Sequence, residues 1–367
     1  MRIAMVGQKQ TASRSGGIEV VVGELASRMA ALGHEVTCYD RSGAGMPSKP
    51  YERDGYRVVP VRAVDVRGLS ALTSSFAATW KAMASRPDVI HYHAEGPCVP
   101  LRLAHRAGVR TVATIHGLDW QRAKWGGLAS RYIKLGEATA ARYADQVIVL
   151  SRGNRDYFNN TYNCETAFVP NGITPQPNLP ASEISKRWGL SKDAYVLYLG
   201  RIVPEKRPDL LIEAFAGLNT DKQLVIVGES SDTDEYVAAL KQAAQLDSRV
   251  LFTGHADGEL LSELYSNACC YVLPSDIEGM PLTLLEAMSH GCACITSDIL
   301  ECADVLGGCG VTFPAGDAAS LRDALGALLA DPARARRLGE SGRERVLTTY
   351  DWDSVVLRTI ELYQGEN

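Results

Sequence analysis

Glu278 and Glu286 stand with seven residues between them in "SDIEGMPLTLLEAM" (275–288), a loop that runs into an apolar stretch with helical spacing. Pro281 suits a first helical turn, where its missing N–H costs nothing. Backbone N–H groups near Gly279, Met280 and Leu282 would then point outward as an anion site favoured by the helix dipole, and glycine lets a ligand approach closely. Carboxylates beside a phosphate would repel it, so they make sense only if they address something neutral. An ionised carboxylate accepts from two hydroxyls at once. Glu286 lies about five residues into the helix, roughly 7.5 Å along its axis. Two acids gripping hydroxylated groups, with a diphosphate between them, is the layout of a nucleoside diphosphate sugar. On spacing alone, a capping carboxylate plus a solvated helix acid explains the pair better.

Cations for a diphosphate are at hand. "LGRIVPEKR" (199–207) follows a strand directly and brings Arg201 and Lys206 to its end. A planar guanidinium and a flexible ammonium together suit a diphosphate leaving group. In "GQKQTASRSGGIEVVVGEL" (7–25), Gly16 and Gly17 open a helix after a polar loop, again a backbone anion site. No GxGxxG stands there, and no GxxxxGK[ST] occurs in the chain.

Other patterns have blander explanations. His91 and His93 alternate on a strand without a third ligand in view, so a packed or site-lining role is expected rather than metal binding. Asp232-Thr-Asp234 and Asp351-Trp-Asp353 spell DxD, yet each precedes a helix pattern, and helix capping accounts for both. The segment 122–144 interleaves Arg and Lys with aromatics; it suits an ordinary amphipathic helix as well as a membrane or acceptor surface. No metal site is expected.

These residues need elements to hold them. In 367 residues, 46% hydrophobic and 22% charged, two domains are the natural expectation. Strand-like runs at 2–7, 35–40, 56–61, 88–93, 110–116 and 145–151 alternate with helix patterns near 17–32, 70–85, 97–107 and 127–143. Gly33 and Gly108 fall at helix C-caps. The proline-rich "VPNGITPQPNLPAS" (169–182) reads as a linker. The alternation restarts with strands at 194–200, 223–228, 249–254, 269–274 and 292–297, and a last helix covers 352–364 after Asp351 as N-cap. The expectation is α/β: two doubly wound Rossmann-like domains facing a cleft, with ligands at the carboxyl ends of parallel strands. Their bounds are 1–172 and 173–350, and 351–367 is a helix crossing back to the first. No apolar run reaches the roughly 18 residues of a membrane span. The N-terminus lacks a secretory pattern, and nine cysteines without CxxC spacing fit reduced thiols, so a cytoplasmic location is expected. Residues 1–175 carry 22 basic and 14 acidic side chains, a net of +8, against −13 for the rest. A basic first half suits an anionic acceptor or a peripheral place on the inner face of the membrane; attraction between two oppositely charged domains explains it as well. Nucleic acid is not an expected partner.

Taken together, "EGMPLTLLEAM", "GRIVPEK", the Gly-Gly loop and "VPNGI" resemble the retaining glycosyltransferases of the GT-B type, family 4. The segments "HGLDWQRAKWGG" (116–127) and "GESSDTDEYV" (228–237) resemble a narrower bacterial group that builds exopolysaccharide or capsule and includes rhamnosyltransferases. The resemblance implies that Glu278 holds donor-sugar hydroxyls and Glu286 the ribose diol. It implies that Gly279, Met280, Pro281 and Leu282 line the sugar and phosphate pocket, that Arg201 and Lys206 bind the diphosphate, and that Gly16 and Gly17 close on it. His116, followed by Gly117, matches the family's active-site histidine; without the resemblance it would read as a satisfied core histidine. Arg207 stands where family members usually have glycine, which puts the bend of that loop in question. The implied reaction is metal-independent, needs no cofactor, and retains the anomeric configuration. It moves a hexose or deoxyhexose from a UDP- or dTDP-linked donor, dTDP-rhamnose among them, to a saccharide or polyprenyl-linked acceptor. A sugar-nucleotide 2-epimerase of similar architecture and a non-catalytic sugar-nucleotide binder are the competing classes.

Overall fold

The computed structural model describes residues 1–13, 16–43, 47–64, 69–122 and 126–366. It separates into two compact units, Met1–Gly172 with Trp352–Asn367, and Ile173–Asp351. The first is built on β1 (Arg2–Val6), β2 (Glu35–Arg41), β3 (Tyr51–Arg53), β4 (Tyr56–Val61), β5 (Val89–His93), β6 (Arg110–Ile115), β7 (Gln146–Val149) and β8 (Ala167–Phe168). Their order in the sheet is β3-β4-β2-β1-β5-β6-β7-β8, parallel throughout except for the β3–β4 hairpin. The second unit holds β9 (Tyr195–Leu199), β10 (Gln223–Val227), β11 (Val250–Gly254), β12 (Cys270–Leu273), β13 (Cys294–Ser297) and β14 (Val311–Phe313). They run parallel in the order β11-β10-β9-β12-β13-β14. In each sheet the order reverses beside the first strand, the arrangement of doubly wound Rossmann-like domains.

Helices cover both faces of such sheets, so strand interiors read as continuous apolar runs rather than alternations. Val196, Tyr198, Leu224, Ile226, Val272 and Ile295 pack with Leu211 and Phe215 of the helix Pro208–Ala216 and with Leu321 and Leu325 of the helix Ala318–Leu329. An equivalent core in the first unit joins Ala4, Val6, Ile90, Tyr92, Ala113 and Ile115. Glycines mark where strand-end loops press together. A Cβ on Gly7, after β1, would lie 2.2 Å from the His93 carbonyl, and one on Gly228, after β10, 1.9 Å from the Gly200 carbonyl.

The chain passes between the units twice. Ile173 N–H donates to the Tyr350 carbonyl at 2.7 Å, and a Cβ on Gly172 would lie 2.5 Å from the Trp352 ring. Asp351 pairs with Ile173 in an isolated bridge immediately before the helix Trp352–Gln364. Gly33 and Gly108 take positive φ, as C-cap glycines do. All nine cysteines are unbonded thiols.

Candidate functional site

Apart from Glu286, which lies within the helix Leu282–Ser289, the residues singled out for donor binding in the second unit lie on a loop or helix start after a strand. β9 ends at Leu199, and Gly200 opens the "GRIVPEK" loop, which closes in a 3-10 turn over Pro204–Lys206. β12 ends at Leu273, and Ser275–Pro281 leads into the helix Leu282–Ser289. The two loops are tied together: Asp276 N–H donates to the Glu205 carbonyl at 2.9 Å. That tie brings Lys206 to Glu278. Lys206 Nζ lies 2.7 Å from Glu278 Oε1, which also accepts from the Ser275 hydroxyl at 2.7 Å. The pair is nearly withdrawn from water, with side-chain exposures of 12% and 9%.

Arg207 answers the question raised by its sequence position. Its φ of +50° and ψ of +42° lie in the left-handed region, so the loop keeps the bend that glycine makes without strain. The side chain is pinned by Asp209 Oδ2 and Asp276 Oδ2, each at 3.1 Å. Arg201 sits half-buried beside this turn, its carbonyl accepting from the Tyr198 hydroxyl at 3.1 Å. Burial and the nearby Glu278 charge push the Tyr198 phenol well up, so it stays a hydrogen-bond donor.

The helix begins at Leu282, and Pro281 is its N-cap, with φ −77° and ψ +103°, rather than its first-turn residue. No side chain caps this end, whereas the Pro281 carbonyl accepts from Leu284 and Leu285. The N–H groups of Leu282 and Thr283 precede the first intrahelical bonds and are the natural anion donors. Gly279, Met280 and Pro281 are buried against this end. Glu286 is half-buried, with Oε2 3.1 Å from the Tyr265 hydroxyl, whose ring stacks on His290.

In the first unit, Gly16 is the N-cap of the helix Gly17–Ala31, with extended backbone. The carboxylate at that helix start belongs to Glu19. Its Oε1 accepts from Lys9 N–H at 2.9 Å, and its Oε2 would lie 2.0 Å from a Cβ on Gly16. The Gly-Gly loop therefore receives its own acid before any external anion, a feature the sequence reading missed although Glu19 stands in the quoted segment. Buried Asp40 holds the preceding turn, accepting from Gln8 Nε2, Thr11 N and Thr11 Oγ1.

His116 follows β6. Because β5 and β6 pair with His93 opposite Thr114, the end of β6 brings His116 beside His93, with Nδ1 of His93 3.1 Å from Nε2 of His116. Loss of hydration lowers His116 to about 4; Asp119 opposes that shift and Arg122 adds to it. His91 is fully buried and satisfied by the Tyr363 hydroxyl at 2.6 Å and Thr114 Oγ1 at 2.7 Å. His91 and His93 are thus packed, as expected. Sequence reasoning did not connect His93 to His116; both ending neighbouring strands was the available signal. It also missed the fully buried Glu95, which accepts from Asp119 N–H at 2.8 Å. Among the described residues, no group of three or more His, Cys, Asp or Glu is arranged to hold a metal ion. Of the DxD segments, Asp234 is the first residue of the helix Asp234–Ala244 and takes the Ser230 hydroxyl, while Asp353 pairs with Arg28.

Comparison with known proteins gives this geometry its class. Residues 15–176 match the family described as Glycosyltransferase Family 4, and residues 181–345 match Glycosyl transferases group 1. The chain is 29% identical to a glycogen synthase of Mycobacterium tuberculosis, over 99% of this chain and 94% of that one. It is also 29% identical to a GDP-mannose-dependent alpha-(1-6)-phosphatidylinositol monomannoside mannosyltransferase of Mycolicibacterium smegmatis, over 96% of each. The sucrose-phosphate synthase of Thermosynechococcus elongatus superimposes with a TM-score of 0.86 at 26% identity, covering 100% of this chain and 98% of that one. Two Rossmann-like units with these loops define a GT-B glycosyltransferase. The chain belongs to glycosyltransferase family 4 and transfers a sugar from a nucleotide-sugar donor.

Proposed function

We propose that this glycosyltransferase retains the anomeric configuration and moves a hexose or deoxyhexose from a nucleoside diphosphate sugar to a saccharide or lipid-linked saccharide of the cell surface, without a metal. The observation that carries this reading is the Lys206–Glu278–Ser275 contact beside the start of the helix Leu282–Ser289. A diphosphate against Leu282 and Thr283 would draw Lys206 toward its oxygens, and Glu278 would then be free to accept hydroxyls of the sugar. Arg201 and Lys206 would stabilise the negative charge that grows on the departing phosphate. Glu286, already within reach of the Tyr265 hydroxyl, would take the ribose diol. No side chain is assigned as a nucleophile; the leaving phosphate takes the acceptor proton, so catalysis rests on positioning and charge.

The rhamnose reading rests on segments 116–127 and 228–237, and residues 123–125 of the first lie outside the described residues. A lipid-linked acceptor is supported by the basic first half and by the lipid acceptor named for the mannosyltransferase relative. Purified protein incubated with UDP-, dTDP-, ADP- and GDP-linked sugars and a saccharide acceptor tests the whole reading. Lys206→Ala and Glu278→Ala are each expected to lower kcat by about 10²–10³-fold while the circular dichroism stays native. Near-normal turnover in either variant would refute the assignment. EDTA is expected to leave the rate unchanged; abolition that added Mg²⁺ restores would overturn metal independence.

A further inference from the structure

His93 is a fully buried imidazole with one nitrogen committed and one orphaned. Its Nδ1 contacts Nε2 of His116, while its Nε2 has no hydrogen-bond partner and no contact with water. Its ring lies 4.1 Å from that of His91, centre to centre, and His91 is saturated by Tyr363 and Thr114, so it offers nothing to that orphan. Burial holds His93 well below its usual range and His116 at about 4, so both rings are neutral at neutral pH. One hydrogen is therefore shared between the two facing nitrogens, in one of two ways.

If His116 donates through Nε2, His93 must carry its own hydrogen on Nε2 and bury an N–H with no acceptor. If His93 donates through Nδ1, the orphan is only a lone pair. An unmade donor costs more and is rarer in protein interiors than an under-used acceptor. The second arrangement wins, and it leaves His116 with hydrogen on Nδ1. That nitrogen has no partner among the described residues, and the ring is only partly buried. We propose that His93 is a positioning residue that fixes His116 as the Nδ1–H tautomer, so that His116 offers a hydrogen-bond donor, never a lone pair, to an oxygen of the donor sugar. This deepens the function proposed above and rests on His116 contacting the donor.

The test uses the full-length protein labelled with ¹⁵N-histidine. Ring nitrogens that carry hydrogen and those that do not resonate far apart, and the His116 signals are assigned by their loss in His116→Gln. At pH 7.5, His116 is expected to show a protonated Nδ1 and a bare Nε2; the reverse would overturn the proposal. His93→Asn keeps an N–H near the position of Nδ1 and is expected to hold both the tautomer and kcat within about fivefold. His93→Asp presents only an acceptor, so it should force hydrogen onto Nε2 of His116 and lower kcat about 100-fold. Equal kcat for the Asn and Asp variants would overturn the proposal. Near-normal turnover of His116→Gln would overturn the donor contact on which it rests, and the nitrogen spectrum separates that failure from the other.

Discussion

Arg207 shows how a side chain can compensate for a backbone that does not suit it. A non-glycine residue in the left-handed region costs about 1–2 kcal/mol. Here the guanidinium bridges Asp209 and Asp276, both partly exposed, contacts worth roughly 0.2–1 kcal/mol each. The two terms nearly cancel, so Arg207→Gly should change stability by less than about 1 kcal/mol. Arg207→Ala keeps the strain and loses both bridges, and should be less stable than the glycine variant by about 1–2 kcal/mol. Urea midpoints at equal m-values measure the difference, and an alanine variant as stable as the glycine one would show that the left-handed backbone carries no cost at this position. The residue types proposed for donor chemistry were legible in the sequence: two acids around a helix start and two cations after a strand. Their internal partners were not. Lys206 meets Glu278 across 72 positions of sequence, and Glu19 turns back onto Gly16, contacts set by loop packing rather than by any local pattern.

At the scale of elements, apolar periodicity and glycine placement located the long strands and helices, because buried parallel strands and amphipathic helices carry strong signals. The short pieces escaped. β3 and β4 meet at Asp54-Gly55, both at positive φ, so the Asp-Gly turn signal was present but unread. β8 and β14 have two and three residues, too few for a period to register. β5 lies between β1 and β6, so its successive side chains are all buried, His91 and His93 among them. One helix makes its own prediction. Leu69–Ala84 carries no acid, and it exposes Phe76 and Trp80 (74% exposed) on one stripe, beside exposed Leu103 of the helix Leu101–Arg106. Exposed aromatics on a helix that carries Lys81 and no acid suit the interface of an anionic bilayer. Sedimentation with liposomes rich in anionic lipid is expected to carry the protein down, and Trp80→Ser should weaken that at least fivefold. Unaltered binding by the serine variant would remove this helix from the membrane reading.

For the molecule as a whole, the division of the chain is uneven in one respect: Ile173–Asp351 is a single continuous stretch, whereas the first unit draws on both ends. An isolated 173–351 fragment should therefore melt in one cooperative transition by calorimetry, while a 1–172 fragment, deprived of the helix Trp352–Gln364, should not. A broad, non-cooperative melt of 173–351 would count against its independence. The Tyr363 hydroxyl reaches His91 from 272 residues away, and Arg110 reaches the Leu362 carbonyl from 252. During synthesis, then, the nascent first unit has to wait for residues 352–364 before its interior can close, although its strands emerge first. The middle of the polypeptide can reach its native form before the beginning does, and until the helix Trp352–Gln364 has docked, the floor beneath the histidines lies open to solvent.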